Sequence, residues 1–207
     1  MSPRPYRLGA RSAAVAATRA RVIAAAREMF TEDGFHQVSL DAVARRADVA
    51  RGTVYHQFGS KVGLLEAVVR DFEQRAGLEH LVQLIERAPT DQLLRVVMTT
   101  GCRYWATDPT LVRKVTAVAA TDADAAQLLA GHDAGRLQLL TRVIERLATN
   151  QRLQTARSRK SAVDTLWLLT SFAAYDELTN GRGLSTRAAA TILTDLAEMH
   201  VAGQNNP

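Results

Sequence analysis

Apolar residues recur at steps of three and four along most of this 207-residue chain, and only five prolines are present to interrupt them. Such spacing places the apolar side chains on one face of an α-helix, whereas a half-buried strand would show alternation. We find no convincing strand pattern and no internal repeat. The sequence therefore predicts an all-α fold.

Capping residues divide the pattern into separate helices. Ser39, Ser60 and the pair Asp108-Pro109 stand where helices should begin, and Gly34 stands where a left-handed residue should end the first helix. The predicted helices cover residues 13–33, 39–46, 50–57, 61–80, 91–106, a stretch from 109, 122–153, 161–179 and 185–201. The 122–153 helix is expected to be interrupted near its two glycines, Gly131 and Gly135.

The positive charge is confined to one part of the chain. Residues 1–61 hold ten basic and five acidic side chains, which accounts for the whole net charge of +5. A basic segment joined to a neutral one indicates a part that binds a polyanion. A solvated basic surface explains the charge equally well, so composition alone leaves both interpretations open.

The segment VARGTVYHQFGSK (residues 49–61) predicts a short helix with little to bury. Val54 and Phe58 lie four residues apart and therefore face the same small core. The opposite side carries Arg51, Gly52, Tyr55 and His56. Together with the helix before it, this segment predicts a helix-turn-helix motif.

These residue types suit the major groove of DNA. Arginine can bond two acceptors of guanine, Tyr55 can reach a phosphate or a thymine methyl group, and Gly52 lets the backbone approach the bases. Helix starts such as those at Ser39 and Lys61 favour phosphate. The predicted DNA contacts are Ser39, Ala50, Arg51, Gly52, Thr53, Tyr55, His56 and Lys61. The alternative is an ordinary exposed helix face.

The run from Ile23 to Leu65 resembles the DNA-binding domain of TetR-type transcriptional repressors. The spacing agrees without a gap, and the string Gly-Thr-Val-Tyr-x-x-Phe-x-Ser-Lys is specific. The matching residues are Ala26, Phe30, Gly34, Phe35, Ser39, Val43, Ala44, Ala47, Val49, Gly52, Thr53, Val54, Tyr55, Phe58, Ser60, Lys61, Leu64 and Leu65.

The resemblance implies an N-terminal three-helix DNA-binding head and a C-terminal helical domain that binds a small molecule and dimerises. The protein would be a repressor that binds a palindromic operator as a homodimer and is released by a small, mostly apolar ligand. We divide the chain into a basic flexible tail (1–12), the helix-turn-helix domain (13–60) and the C-terminal domain (61–207), with 61–80 as a connecting helix. An activator or a ligand-independent regulator of the same fold is the alternative.

Four positions depart from the family pattern. Asp48 stands where glycine is usual in the turn, and Ala50 stands where a capping serine is usual, which forfeits about 1 kcal/mol. Val38 replaces a common threonine. Gly63 is expected to loosen the first turn of the fourth helix.

The C-terminal part offers candidate residues for both roles that the resemblance implies. We expect an apolar ligand pocket lined by Met98, Cys102, Trp105, His132 and Trp167. We expect the last two helices to form the dimer interface, through Leu166, Leu169, Phe172, Ala189, Ile192, Leu193 and Leu196. Apolar residues at this helical spacing would equally result from packing within one chain.

Other function classes find little support in the sequence. The five histidines are scattered, no phosphate-binding glycine loop or nucleophile motif is found, and the single Cys102 rules out an internal disulfide. We therefore expect no enzyme, no cofactor and no metal, with a helical enzyme or a structural nucleoid protein as remote alternatives. No apolar run is long enough to span a bilayer, and we expect a cytoplasmic protein. Whether the tail arginines Arg4, Arg7 and Arg11 follow the duplex or only aid solubility stays open.

Overall fold

The computed structural model describes residues 5–153 and 159–201, with side chains from Ser12 onward. These residues form eleven α-helices and no strand, which confirms the predicted all-α fold. The helices are α1 (Pro5–Glu32), α2 (Leu40–Arg46), α3 (Arg51–Phe58), α4 (Lys61–Arg75), α5 (Leu78–Arg87), α6 (Leu93–Ala106), α7 (Pro109–Ala119), α8 (Ala123–Thr149), α9 (Arg159–Leu169), α10 (Phe172–Asp176) and α11 (Thr186–Val201). A short 3₁₀ turn (Phe35–Gln37) follows α1, and a π turn (Glu177–Gly181) follows α10.

Side-chain caps begin the helices where the sequence places them. Ser39 Oγ accepts from the N–H of Ala42 at the start of α2, and Ser60 Oγ accepts from the N–H of Gly63 at the start of α4. Asp108 does the same for α7. Each cap satisfies a backbone donor that the first helical turn leaves unpaired.

The first helix is longer than its sequence predicts. It begins at Pro5, so most of the segment expected to be a flexible tail is helical. Proline is tolerated in the first turn, and the alanines that follow are strong helix formers. The helix ends before Gly34, whose φ of +83° and ψ of 152° form an extended left-handed conformation rather than a helical one. Phe35 then turns inward and is buried against Phe30.

The body differs from the prediction in three helices. The predicted connecting helix 61–80 ends at Arg75, and a separate helix, α5, follows, with Leu78, Leu81, Val82 and Ile85 at helical spacing. The predicted helix 161–179 is broken at Ser171, whose extended backbone and hydroxyl cap begin α10. The expected interruption of α8 does not occur, because both of its glycines continue the helix.

The chain forms two compact units. The N-terminal unit comprises Met1–Phe72 with Arg113–Leu129, and the C-terminal unit comprises Glu73–Val112 with Ala130–Pro207. The core of the N-terminal unit is made of fully buried apolar side chains from α1 to α4, among them Val22, Ala26, Phe30, Val43, Val54, Leu64, Leu65 and Val68. A single cluster fills the C-terminal unit, with Leu93, Met98, Leu140, Ile144, Leu166 and Ala197 among its fully buried members.

Candidate nucleic-acid interface and effector cavity

The turn between α2 and α3 holds the two helices at a set angle. Asp48 occupies the left-handed region with φ of +52°, and the N–H of Val49 donates to the carbonyl oxygen of Ala44 at 3.0 Å. Val43 and Val54 are fully buried on the facing sides of the two helices. The left-handed conformation is sterically unfavourable for a residue with a Cβ, although aspartate tolerates it better than most residues. The helix-turn-helix motif is therefore present, with a turn that glycine would relax.

Helix α3 separates its two sides as its sequence predicts. Val54 and Phe58 are buried, whereas Arg51, Gly52, Tyr55 and His56 are exposed. Ala50 is exposed and makes no side-chain cap, and Thr53 is half-buried. Apart from its chain neighbours and the backbone of its own helix, nothing lies within 4 Å of the place where Gly52 would carry a Cβ. The exposed side thus offers a bare stretch of backbone between an arginine and a phenol.

Arg51 is held in place by two neighbours. Its Nε lies 2.9 Å from Asp41 Oδ1 in a close ion pair without aligned hydrogen-bond geometry. Its guanidinium also lies 5.1 Å from the centre of the Tyr55 ring and reaches the Tyr55 hydroxyl at 3.5 Å. Because both interactions are on the surface, each costs little to break. Asp41 therefore positions Arg51 and also competes with any base for it.

Lys61 is not a free cation at the start of α4. Its Nζ donates to the carbonyl oxygens of Phe35 and His36, at 3.0 and 3.3 Å, and lies 4.5 Å from the centre of the Phe35 ring. His36 Nε2 in turn lies 3.1 Å from Thr121 Oγ1. The structure therefore gives Lys61 a role in fixing the turn after α1, which the sequence does not reveal. A phosphate contact from Lys61 would have to replace these bonds.

The two arginines at the end of α2 differ in their contacts. Arg46 pairs with Glu28 and Glu32 on α1, at 3.3 and 3.4 Å. Its neighbour Arg45 is exposed and could contact phosphate. It is not among the DNA contacts predicted from the sequence. The arm residues Arg4, Arg7 and Arg11 have side chains outside the described part of the structure.

A cavity of about 420 Å³ opens in the C-terminal unit. That is within the range of sites for small molecules. Its apolar wall consists of Leu78, Leu81, Val82, Ile85, Val97, Trp105, Leu139 and Leu140. Polar side chains line the remainder, namely Glu73, Tyr104, His132, Asp133, Arg136, Arg142 and Thr170.

The cavity contains two of the five residues that the sequence suggests for a ligand. Trp105 and His132 line it. Met98 and Cys102 do not, because both are buried in the core beside it, at 1 % and 3 % exposure. Trp167 lies under the guanidinium of Arg136, which is 3.5 Å from the ring centre. The spacing of apolar residues shows which face of a helix is apolar, but it does not distinguish a filled core from the wall of a cavity.

Polar contacts in the cavity are well defined. His132 Nδ1 lies 2.7 Å from Glu73 Oε1. Arg136 Nη1 donates to the carbonyl oxygen of Trp167 at 2.9 Å and to Thr170 Oγ1 at 3.2 Å. Burial, and secondly the charge of Glu73, raises the pKa of the Tyr104 phenol above its ordinary range. Burial lowers the pKa of the Arg136 guanidinium, and the nearby Asp133 opposes that shift.

The residues expected at a dimer interface divide by burial. Leu166, Phe172, Ala189 and Leu193 are buried in the core of their own unit, so they have no surface to offer a partner. Leu169 and Leu196 are half-buried and Ile192 is exposed. The most exposed large apolar side chains of α9 and α11 are Leu168 and Met199, at 65 % and 61 %, neither of which was expected at the interface. The same helices are thus apolar on their outer side, but mostly through other residues.

The described residues include neither a membrane-spanning helix nor a group of metal ligands. None of the helices there is both long and apolar enough to cross a membrane. Within residues 5–153 and 159–201, no three histidine, cysteine or acidic side chains are grouped as metal ligands would be.

The fold and the exposed side of α3 define a helix-turn-helix DNA-binding protein. Residues 22–68 match the family model described as bacterial regulatory proteins, tetR family. Residues 22–68 therefore form a DNA-binding domain of the TetR type, which supports a TetR-type transcriptional regulator.

Relatives agree with this assignment. The regulator UidR of Escherichia coli K12 is 42 % identical over 59 residues, which are 28 % of this chain and 30 % of UidR. SrpR of Pseudomonas putida is 40 % identical over 72 residues, 34 % of each chain. The matched segment thus spans about a third of the length of these curated relatives.

Solved structures share the whole fold at low identity. A transcriptional regulator from Saccharomonospora viridis, in complex with choline, has a TM-score of 0.71 at 17 % identity, over 91 % of this chain and 100 % of that one. GusR of Salmonella enterica has a TM-score of 0.68 at 24 % identity, over 87 % and 93 %. At these identities the likeness shows the fold alone.

Proposed function

We propose that the protein is a repressor that binds a palindromic operator as a homodimer and leaves it when a small, mostly apolar molecule enters the C-terminal cavity. The observation that carries the proposal is the exposed side of α3. It presents Arg51, Gly52, Tyr55 and His56 to solvent, with an uncovered backbone at Gly52. A helix this short is stabilised by packing rather than by itself, and this side is the part that packing leaves free.

The proposed dimer follows from the palindrome, which needs two copies of α3. Recognition helices of such dimers enter successive major grooves, about 34 Å apart. Leu168 on α9 and Ile192 and Met199 on α11 are apolar and exposed. A second copy would cover these side chains and bury the apolar area that water now contacts.

Ligand response is supported by the helices that carry the cavity residues. Helix α4 begins at Lys61 in the N-terminal unit and reaches Glu73, the first residue of the C-terminal unit. Helix α8 likewise begins in the N-terminal unit and carries His132 in the other. A ligand that prefers one arrangement of these helices must change DNA affinity by its differential affinity for the two states.

Selection from a random DNA library tests the DNA-binding part of the proposal. We expect enrichment of one palindromic sequence, because the dimer repeats the same base contacts on two half-sites. Enrichment of no sequence above the starting library would contradict it and would favour a structural DNA-binding protein.

Light scattering tests the dimer. We expect the wild type to be a dimer at micromolar concentration and Leu168→Glu to be a monomer, since a buried unpaired carboxylate is costly. Leu84→Glu is the matched control, because Leu84 is also an exposed leucine, at 40 %, but lies on α5. A monomeric wild type would contradict the proposed dimer, and a dimeric Leu168→Glu would remove α9 from its interface.

A further inference from the structure

The carboxylate of Glu73 is the charged group in the cavity that has no arginine or lysine partner among the described residues. Its side chain is 19 % exposed, and its contact is with His132 Nδ1 at 2.7 Å. The two arginines of the lining are each compensated, Arg136 by Asp133 at 3.2 Å and Arg142 by Glu86 at 3.6 Å. A half-buried carboxylate is stabilised by a cation or by hydrogen-bond donors, and the short contact of Glu73 is with a histidine.

Arg136 is an unsuitable anchor for an anionic ligand. Three of its N–H groups are used, by the carbonyl oxygen of Trp167, by Thr170 Oγ1 and by Asp133. Its flat face is stacked on the Trp167 ring. Because these contacts join α8 to the end of α9, a ligand carboxylate would have to break them to gain its own.

Tyr104 places a neutral polar group near Glu73. Its phenol is protonated at neutral pH, and burial, followed by the charge of Glu73, raises its pKa further above the ordinary value. A phenol can accept a hydrogen bond as well as donate one. Beyond these groups the wall is apolar, with Leu78, Leu81 and Val82. Such a site matches a ligand with an apolar body and one cationic donor.

Building on the proposed function, we propose that the effector is an apolar molecule with one protonated amine, whose ammonium group binds Glu73 in place of His132. An ammonium–carboxylate bond is charge-assisted and stronger than a neutral one. The replacement also opens the contact by which α4 and α8 are joined in the C-terminal unit. Since both helices continue into the N-terminal unit, this gives the ligand its means of acting on DNA binding.

Three probes with one apolar body test the proposed ligand class. They are 4-phenylbutylamine, 4-phenylbutanoate and 4-phenylbutan-1-ol, each titrated into the full-length protein without DNA. Binding is followed by tryptophan fluorescence, because Trp105 lines the cavity. We expect the amine to bind about tenfold more tightly than the alcohol and the acid to bind most weakly.

Glu73→Gln identifies the anchor, because it keeps the shape and removes the charge. We expect it to lower the ratio of amine to alcohol affinity about tenfold, and this ratio is insensitive to any general weakening of the fold. Glu79→Gln is the matched control, since Glu79 is exposed on α5 outside the lining; the ratio should stay that of the wild type. Tighter binding of the acid, binding of none of the probes, or an unchanged ratio in Glu73→Gln would each overturn the proposal.

Failure of this inference is distinguishable from failure of the proposed function. Operator affinity of the ligand-free protein is measured by itself, and it depends on α3 rather than on the cavity. An acid-selective cavity in a protein that still binds its operator would overturn the amine and leave the regulator.

Discussion

Gly63→Ala is expected to destabilise the protein, although alanine is the better helix former. Gly63 lies in the first turn of α4, where a Cβ would stand 2.2 Å from the carbonyl oxygen of Phe58 and 3.3 Å from its carbonyl carbon. The closest ordinary approach of carbon to carbonyl oxygen is about 3.3 Å, so the two must separate by about 1 Å. The obstacle is backbone, and Phe58 is anchored in the core at 8 % exposure.

The magnitude follows from two opposing terms. Overpacking of this kind costs about 1–3 kcal/mol, and the glycine-to-alanine change in a helix returns about 1 kcal/mol. We expect Gly63→Ala to lower the free energy of unfolding by up to about 2 kcal/mol. Gly135→Ala is the matched control: its Cβ meets nothing within 4 Å inside α8, so it should gain about 1 kcal/mol.

Urea unfolding followed by far-ultraviolet circular dichroism measures both variants at one protein concentration, because a dimer's stability depends on concentration. Equal stability of Gly63→Ala and Gly135→Ala would refute the reasoning. It would mean that the backbone of Phe58 moves aside without a loss of stability. Gly63 would then only loosen the first turn of α4, as the sequence alone suggests.

Three further predictions concern single side chains. Gly52→Ala should leave the free energy of unfolding unchanged or raise it by up to about 1 kcal/mol. It should nevertheless lower operator affinity at least tenfold, because the added methyl group would stand between the helix backbone and the bases. Unchanged affinity in an anisotropy titration would argue against such a close approach. Asp41→Asn should raise operator affinity several-fold, since it frees Arg51 and removes a negative charge near phosphate; a loss of affinity would show that Asp41 is needed as a positioning group. Burial raises the pKa of Cys102 to about 11, so the fold favours its neutral thiol. Stability should therefore fall more steeply in the wild type than in Cys102→Ala as pH rises from about 8.5 toward 11. Rapid iodoacetamide labelling of the native protein at pH 8 would contradict this burial.

The DNA-binding unit could be predicted closely from sequence because its signals are local. Ser39 and Ser60 cap the helices that follow them, and Asp48 adopts the left-handed turn that its position requires. The roles of Lys61 and Gly63 could not be predicted in this way. Each depends on a carbonyl oxygen brought close by folding, from Phe35 in one case and Phe58 in the other.

The cavity was harder to predict because it depends on contacts between distant segments. Glu73 and His132 are 59 residues apart, and Arg136 meets Trp167 across 31. Helical periodicity identified the apolar faces, but it placed Met98 and Cys102 in the lining when both belong to the core. Helix α5, which the sequence does not predict as a separate helix, supplies Leu78, Leu81, Val82 and Ile85 to the cavity wall.

We propose that the exposed side of α3 reads DNA. The most direct test is the anisotropy of one fluorescent palindrome, taken from the selected sequences, with wild type, Arg51→Ala, Tyr55→Ala and the control Arg87→Ala, an exposed arginine of α5. We expect the wild type to bind tightly and in a salt-dependent way. Affinity should fall at least tenfold in the two α3 variants and stay unchanged in the control. Equal affinity of all four proteins, or equal affinity for scrambled DNA, would contradict it.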